Sequence, residues 1–169
     1  MATTYTLINS TTVGSGGASN VTFSSIPATY TDLVVEMSGR DSDSAAWETI
    51  NIQFNTDATS SNYSNKSVFG TGSSASSQNG NQFAGYVTTN GNTANTFGNS
   101  ICYISNYLSS NQKSWSWDAV TENNATAALA ILGAGLWNGT AAINSIKLTS
   151  TGSGFVQYST FYLYGINNS

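Results

Sequence analysis

The segment TAALAILGAGLW, residues 126–137, reads in two ways, and the architecture turns on which one holds. Ala and Leu are good helix formers, and no strict alternation breaks the run. Against a helix stand Gly133 and Gly135 and the flanking ENN and NGT, which are turn chemistry on both sides. The segment therefore reads as a strand, buried on both faces, and the chain as all-β.

Its neighbours are written the same way. KSWSWDAV (113–120) puts Trp115 and Trp117 two positions apart, so in a strand both side chains stand on one face. Such a pair is either a platform on which a ligand stacks or the inside of a fold. In ETINIQF (48–54) Ile50, Ile52 and Phe54 share one face while Thr49, Asn51 and Gln53 take the other, the signature of a half-buried strand. Eight more short apolar runs follow this grammar: TYTLIN (4–9), SNVTF (19–23), TDLVVEMS (31–38), KSVFG (66–70), FAGYVTT (83–89), NSICYIS (99–105), AINSIKLTS (142–150) and GFVQYSTFYLYGI (154–166). Clusters of Gly, Ser, Asn and Asp separate them. TDATSSNYSN (56–65) and GTGSSASSQNGNQ (70–82) read as loops at the sheet ends, and TVGSGGASN (12–20) as a hairpin loop.

Eleven strands without a convincing helix predict one domain over residues 1–169, a two-sheet antiparallel β-sandwich of jelly-roll type, with a closed barrel as the alternative. Leu33, Val35, Ile50, Ile52, Phe54, Ile101, Tyr103, Ile146, Leu148 and Phe161 are the expected core. Trp47 and Trp137 adjoin apolar strands and belong with it.

Charged residues make up 7% of the 169 residues, against roughly 25% in ordinary globular domains. The missing polarity is supplied by 27 Ser, 22 Thr and 20 Asn, so the surface is expected to be hydroxyl and amide. Hydrophobic residues at 39%, aromatic residues at 12% and a single proline argue for a folded chain over a disordered one. A net charge of −4 without a basic cluster gives no drive toward nucleic acid or an anionic membrane. The N-terminus has neither the charged nor the apolar region of a signal peptide, and no apolar run approaches membrane-spanning length, so a soluble chain without an export signal is expected. Lys and Pro, the usual guards of sheet edges, are scarce, so neighbouring chains are expected to cover them.

The inventory for catalysis is thin. Without His, histidine-dependent triads and zinc hydrolase sites are excluded. Asp41 and Asp43 in GRDSDSAAW could begin a calcium loop, but Ala46 and Ile52 stand where that loop needs Gly and Glu, so a solvated turn is the better reading. Asp118 and Glu122 could be drawn as a glycosidase pair, with no specificity in the pattern. TVGSGGASN lacks the Lys of a phosphate-binding loop and precedes a strand. Cys102 in ICYI reads as a small buried hydrophobe. Seven Asn-x-Ser/Thr sites, at Asn9, Asn20, Asn62, Asn65, Asn124, Asn138 and Asn167, are what so Asn-, Ser- and Thr-rich a chain produces by chance. No catalytic, cofactor or metal residues are expected.

The order TVGSGGASNVTFSSIPATYTDLVV, INIQFNTDATSSNYSNKSVFGTGSSASS, ANTFGNSICYISNY and GLWNGTAAINSIKLTSTGSGFVQYSTFYLYGI resembles a family of virion structural proteins of tailed bacteriophages, common among cyanophages and other phages of aquatic bacteria. SIPATYTDL, the QFN turn followed by NYS, FGNS and the closing FVQYSTFYLYGI are its most particular signatures, and the resemblance runs over nearly the whole chain. It implies a β-sandwich made in the bacterial cytoplasm and built into the virion surface, with no catalytic residues to carry over. It also implies that Trp115 and Trp117 face inward, since relatives carry aliphatic residues at the matching positions. The expected partners are the major capsid protein or other virion proteins and copies of the chain itself, in a homo-oligomer. The alternative is a carbohydrate-binding module of a tail or head fibre, displaying aromatic side chains such as Trp115 and Trp117 to a host glycan.

Overall fold

In the computed structural model, which describes residues 4–122 and 128–167, the chain is all-β. Its strands are β1 (Thr4–Thr12), β2 (Asn20–Phe23), β3 (Asp32–Asp41), β4 (Trp47–Phe54), β5 (Tyr63–Gly70), β6 (Ala75–Gly80), β7 (Phe83–Thr89), β8 (Gly98–Ile104), β9 (Lys113–Val120), β10 (Ala130–Trp137), β11 (Ile146–Ser150) and β12 (Thr160–Asn167), with one 3₁₀ turn at Ser60–Asn62. Thr126 and Ala127 of TAALAILGAGLW and the Asn124 site lie outside the described residues. No helix among those described is long and apolar enough to cross a membrane.

All twelve strands join one mixed sheet made of two antiparallel ladders. The larger runs β1-β12-β3-β8-β9-β10-β5-β6, the smaller β2-β11-β4-β7. Their link is a short parallel pairing of β3 with β7, Arg40 opposite Thr88 and Asp41 opposite Thr89. The chain crosses repeatedly between ladders. TVGSGGASN is one of these crossings and not the expected hairpin loop, because β1 pairs with β12 and β2 with β11. Gly17 turns it with φ of 70°, a conformation that glycine adopts without steric cost.

β4 alternates as its sequence predicts: Ile50, Ile52 and Phe54 are fully buried and the residues between them half-buried. Leu33, Val35, Ile146, Leu148 and Phe161 join them in the core. Ile101 and Tyr103 do not. They point outward, half-buried, and the inner face of β8 carries Ser100, Cys102 and Ile104. Two constraints set that phase. Ser100 Oγ accepts from Tyr86 N at 3.1 Å and donates to Tyr86 O at 2.9 Å, and Cys102 stands opposite the bulky Trp117.

Two further expectations change. β10 is buried on one face only: Ile131, Gly133, Gly135 and Trp137 point in, and Ala130, Leu132, Ala134 and Leu136 out. ASSQNG, expected within a loop, forms β6, held by β5 alone at the end of the larger ladder. Tyr63, also expected in a loop, begins β5. It is buried, its hydroxyl donating to Asp57 O at 2.9 Å and accepting from Phe54 N at 3.0 Å.

The fully buried Ile52 fixes the first prediction: Ile52→Ala should lower unfolding free energy by about 2–5 kcal/mol in denaturant titrations, the cost of a cavity that the surroundings do not refill. A second concerns alkaline pH. Burial pushes the Tyr63 hydroxyl from 10.0 up to about 12, so the folded state keeps a proton that the unfolded chain releases. Its contribution is complete below pH 10 and is lost as pH rises through the interval to about 12. Denaturant titrations at about pH 9 and about pH 11 should show a smaller fall in stability for Tyr63→Phe than for the wild type. An equal fall would assign the alkaline loss to other groups.

Candidate functional site

The tryptophan pair is placed by strand register. β9 alternates strictly, with Lys113, Trp115, Trp117 and Ala119 inward and Ser114, Ser116, Asp118 and Val120 outward. Trp115 stands opposite Gly135 of β10 and Trp117 opposite Gly133. Both indoles fill the space that a side chain there would need: a Cβ on Gly133 would lie 2.2 Å from Trp117 Cε2, and one on Gly135 2.1 Å from Trp115 Cζ2. Across the interior Trp115 meets Phe54 edge-on at 5.4 Å, and Trp117 stacks with Tyr86 at 6.0 Å. Trp115 Nε1 donates to Phe83 O at 2.9 Å, whereas the buried Trp117 Nε1 finds no acceptor among the described residues. At 2% and 1% exposure neither ring presents a face to solvent, so the structure offers no ligand platform at KSWSWDAV. Trp137 is buried as well, and Trp47 packs half-buried against the core.

Several of the few ionic groups bind the protein's own loops. Asp41 is fully buried and accepts main-chain N–H bonds from Asp43 at 2.7 Å, Ser153 at 2.9 Å and Gly154 at 3.0 Å. Asp43 accepts from Ala45 N at 2.9 Å, and this bond is the chief reason its carboxyl sits below the usual range. The Asp-x-Asp pair thus closes a turn on itself and on residues 153–154. No group of three or more Cys, Asp or Glu able to hold a metal occurs among the described residues. Asp57 gathers Trp137 Nε1 at 2.8 Å, Asn62 Nδ2 at 2.9 Å and Thr59 N at 3.0 Å, the indole bond doing most to lower its pKa.

The cations act as counterparts to carbonyls. Lys113 Nζ donates to Ser109 O at 2.7 Å and to Asn111 O, and desolvation pulls its pKa down. Arg40 donates to Asn90 Oδ1 at 3.0 Å and to the carbonyls of Thr93 and Thr96 at 2.9 Å each, gathering the loop between β7 and β8. Cys102 is buried, which pushes its thiol pKa up and keeps the reactive thiolate scarce. Asp118 faces outward opposite Leu132, its pKa raised by desolvation, and Glu122 follows the end of β9.

The surface that stands out is the outward face of β9, β10 and β5. Register aligns Asp118, Leu132, Val68 and Ser77 in one row, and Val120, Ala130, Gly70 and Ala75 in the next. Leu132 is 60% exposed, Val68 58% and Val120 42%, so the patch is apolar and open. Beside it β6, with neither Lys nor Pro, leaves one side of its main chain without a strand partner among the described residues. Lys66 reaches over from β5 to Asn79 Oδ1 at 3.1 Å. The sequence reading missed this face by burying β10 twice. The usable signal was the spacing Gly-x-Gly in β10 after Trp-x-Trp in β9, which marks one face of β10 as the side beneath the indoles and leaves Leu132 on the other.

No family model and no curated protein matches the chain.

The close fit of indole to glycine gives a third prediction. Gly133→Ala should destabilise by about 1–3 kcal/mol through overpacking against Trp117, and Trp117→Ala by about 3–5 kcal/mol. In the double variant the alanine at 133 should cost nothing further, because the ring it would strike is gone. Additive losses in a double-mutant cycle would show that the two residues are not coupled.

Proposed function

We propose that this chain is a non-enzymatic structural protein of a tailed-phage virion, decorating the capsid surface through contacts with the shell protein and with its own copies. Support for the source lies in the resemblance along SIPATYTDL, FGNS and FVQYSTFYLYGI. In this reading the two ladders are the layers of an antiparallel sandwich of jelly-roll type. The contacts of Phe54 and Tyr86 in the smaller ladder with Trp115 and Trp117 in the larger support that arrangement.

The observation that carries the reading is the open apolar row of Leu132 and Val68 beside the β6 edge. A chain with so few ionic groups has little with which to build an interface of ion pairs. Apolar contact and main-chain pairing along a free edge are the means left to it, with Ser, Thr and Asn supplying the rim. The carboxylates support a non-catalytic role: Asp41, Asp43 and Asp57 are occupied in holding turns.

The test uses purified particles of the phage that encodes the chain. The protein should be present at a copy number comparable with that of the shell protein. It should stay attached when salt is raised from about 0.1 to about 1 M, although the Debye length falls from about 10 to about 3 Å. Leu132→Lys, at an exposed position, should leave the melting temperature unchanged and abolish attachment. Release of the wild type by salt, or full retention of Leu132→Lys, would contradict the proposed interface, and absence from particles would refute the function.

A further inference from the structure

A different surface lies where the loops converge on residues 154–159. Tyr158 is 67% exposed and has φ of 73°. The other non-glycine residues described with positive φ are Ser25, Asn55, Asn95 and Asn106, small or amide side chains suited to that region. A tyrosine is not. Its strain is sustained because the segment is tied down almost residue by residue. Phe155 exchanges bonds with Ala18, N to O at 2.8 Å and O from N at 2.9 Å. Val156 N donates to Arg40 O at 2.9 Å, Tyr158 N to Val13 O at 3.0 Å, and Val13 N to Ser159 O at 2.8 Å. Below them the buried Phe155 packs edge-on against Phe161 at 4.7 Å. The main chain is therefore rigid while the side chains of Gln157 and Tyr158 project into solvent.

Two depressions flank this ridge and share Val156 and Gln157. One, of about 460 Å³, is lined by Ser15, Gly16, Ser42, Ser153 and Gln157. The other, of about 290 Å³, is lined by Arg40, Asn90, Asn95, Phe97 and Tyr158. Hydroxyls and main chain dominate the first, while the second sets the amides of Asn90 and Asn95 beside the rings of Phe97 and Tyr158. Unlike the apolar face of β5, β9 and β10, this surface suits a polar ligand with one apolar side.

From this geometry we infer that the Tyr158 ridge is a binding site for a neutral oligosaccharide. One sugar ring stacks its C–H face on the tyrosine, and the hydroxyls of neighbouring rings are held by Gln157 and the amides and serines of the two depressions. Three observations favour a neutral sugar over an acidic one. The chain carries a net charge of −4, the Arg40 guanidinium is already engaged with Asn90, Thr93 and Thr96, and Asp43 Oδ2 lies 3.3 Å from Ser153 Oγ. A main chain already tied down at Phe155, Val156, Tyr158 and Ser159 also spares the cost of ordering a loop on binding. The site does not depend on attachment through Leu132, and a fibre or a capsid decoration could equally carry it.

The test titrates the intact protein with maltohexaose, cellohexaose and the hexamer of N-acetylglucosamine, followed by chemical-shift changes and calorimetry. At least one should bind, with shifts centred on residues 154–159. Tyr158→Asn removes the ring and places at φ of 73° a residue that accepts it, so the melting temperature should hold or rise while affinity falls about tenfold or more. Gln157→Ala should weaken binding severalfold without loss of stability. No binding by any of the three sugars overturns the inference, as does equal binding by Tyr158→Asn. A lowered melting temperature for that variant would make the ring structural, and loss of particle attachment without sugar binding would make it a protein contact; either result also overturns it.

Discussion

Two indole rings lying over two glycines hold the centre of the larger ladder together. Along one inner row the residues run Cys102, Trp117, Gly133, and along the next Ile104, Trp115, Gly135. Each tryptophan is too wide for one position in a strand and spreads over the neighbour that has no side chain. A glycine in a strand interior ordinarily weakens it, having nothing to pack and much entropy to lose. Here the indole covers the exposed main chain, and the glycine gives the ring its space. The register of β9 against β10 follows, because a slip of one residue would turn both rings toward solvent and drive alanine or leucine beneath them. The rings in turn set the reach of the smaller ladder, through Phe54 on Trp115 and Tyr86 on Trp117.

Around that centre the chain uses its scarce charges for internal order. Asp41, Asp57, Lys113 and Arg40 each gather loop atoms that would otherwise need water: amide hydrogens for the acids, carbonyl oxygens for the bases. Hydrogen bonds to a charged group are stronger than neutral ones, so one ionised side chain can organise a whole connection. Arg40 and Asp41 stand together at the end of β3, where the two ladders meet through Thr88 and Thr89, and they hold loops arriving from β7 and from β11. The same region supports the ridge of residues 154–159, which is why a tyrosine can be kept there in a strained conformation.

The surface divides accordingly. The outward face of β5, β9 and β10 is apolar and adjoins an open strand edge, features of contact with another protein. The loop end is indented, lined by hydroxyls and amides, and carries one exposed tyrosine ring, features of contact with a small polar ligand. In the proposed role the first would hold the chain to the particle and the second would meet what lies outside it.

The class of the fold and most of its strands are legible along the chain. Strict alternation in ETINIQF and KSWSWDAV assigns each residue a side, and turn residues at the boundaries leave helices no room, both being local properties that neighbours in the chain already settle. The poverty of charge and the absence of His are legible there as well. Where both sides of a strand are acceptable, packing against distant strands selects the one that faces in. In NSICYIS either phase buries apolar atoms, and the choice of Cys102 over Ile101 and Tyr103 comes from the width of Trp117 on the next strand. ASSQNG becomes a strand because β5 supplies hydrogen-bonding partners, which no pattern within six residues lacking a large apolar side chain can announce. TVGSGGASN crosses between ladders, and AILGAGLW shows an apolar face to solvent, because pairing partners are chosen across long separations in the chain. Local sequence fixes what a segment can be, and the large side chains that arrive from elsewhere fix where it goes.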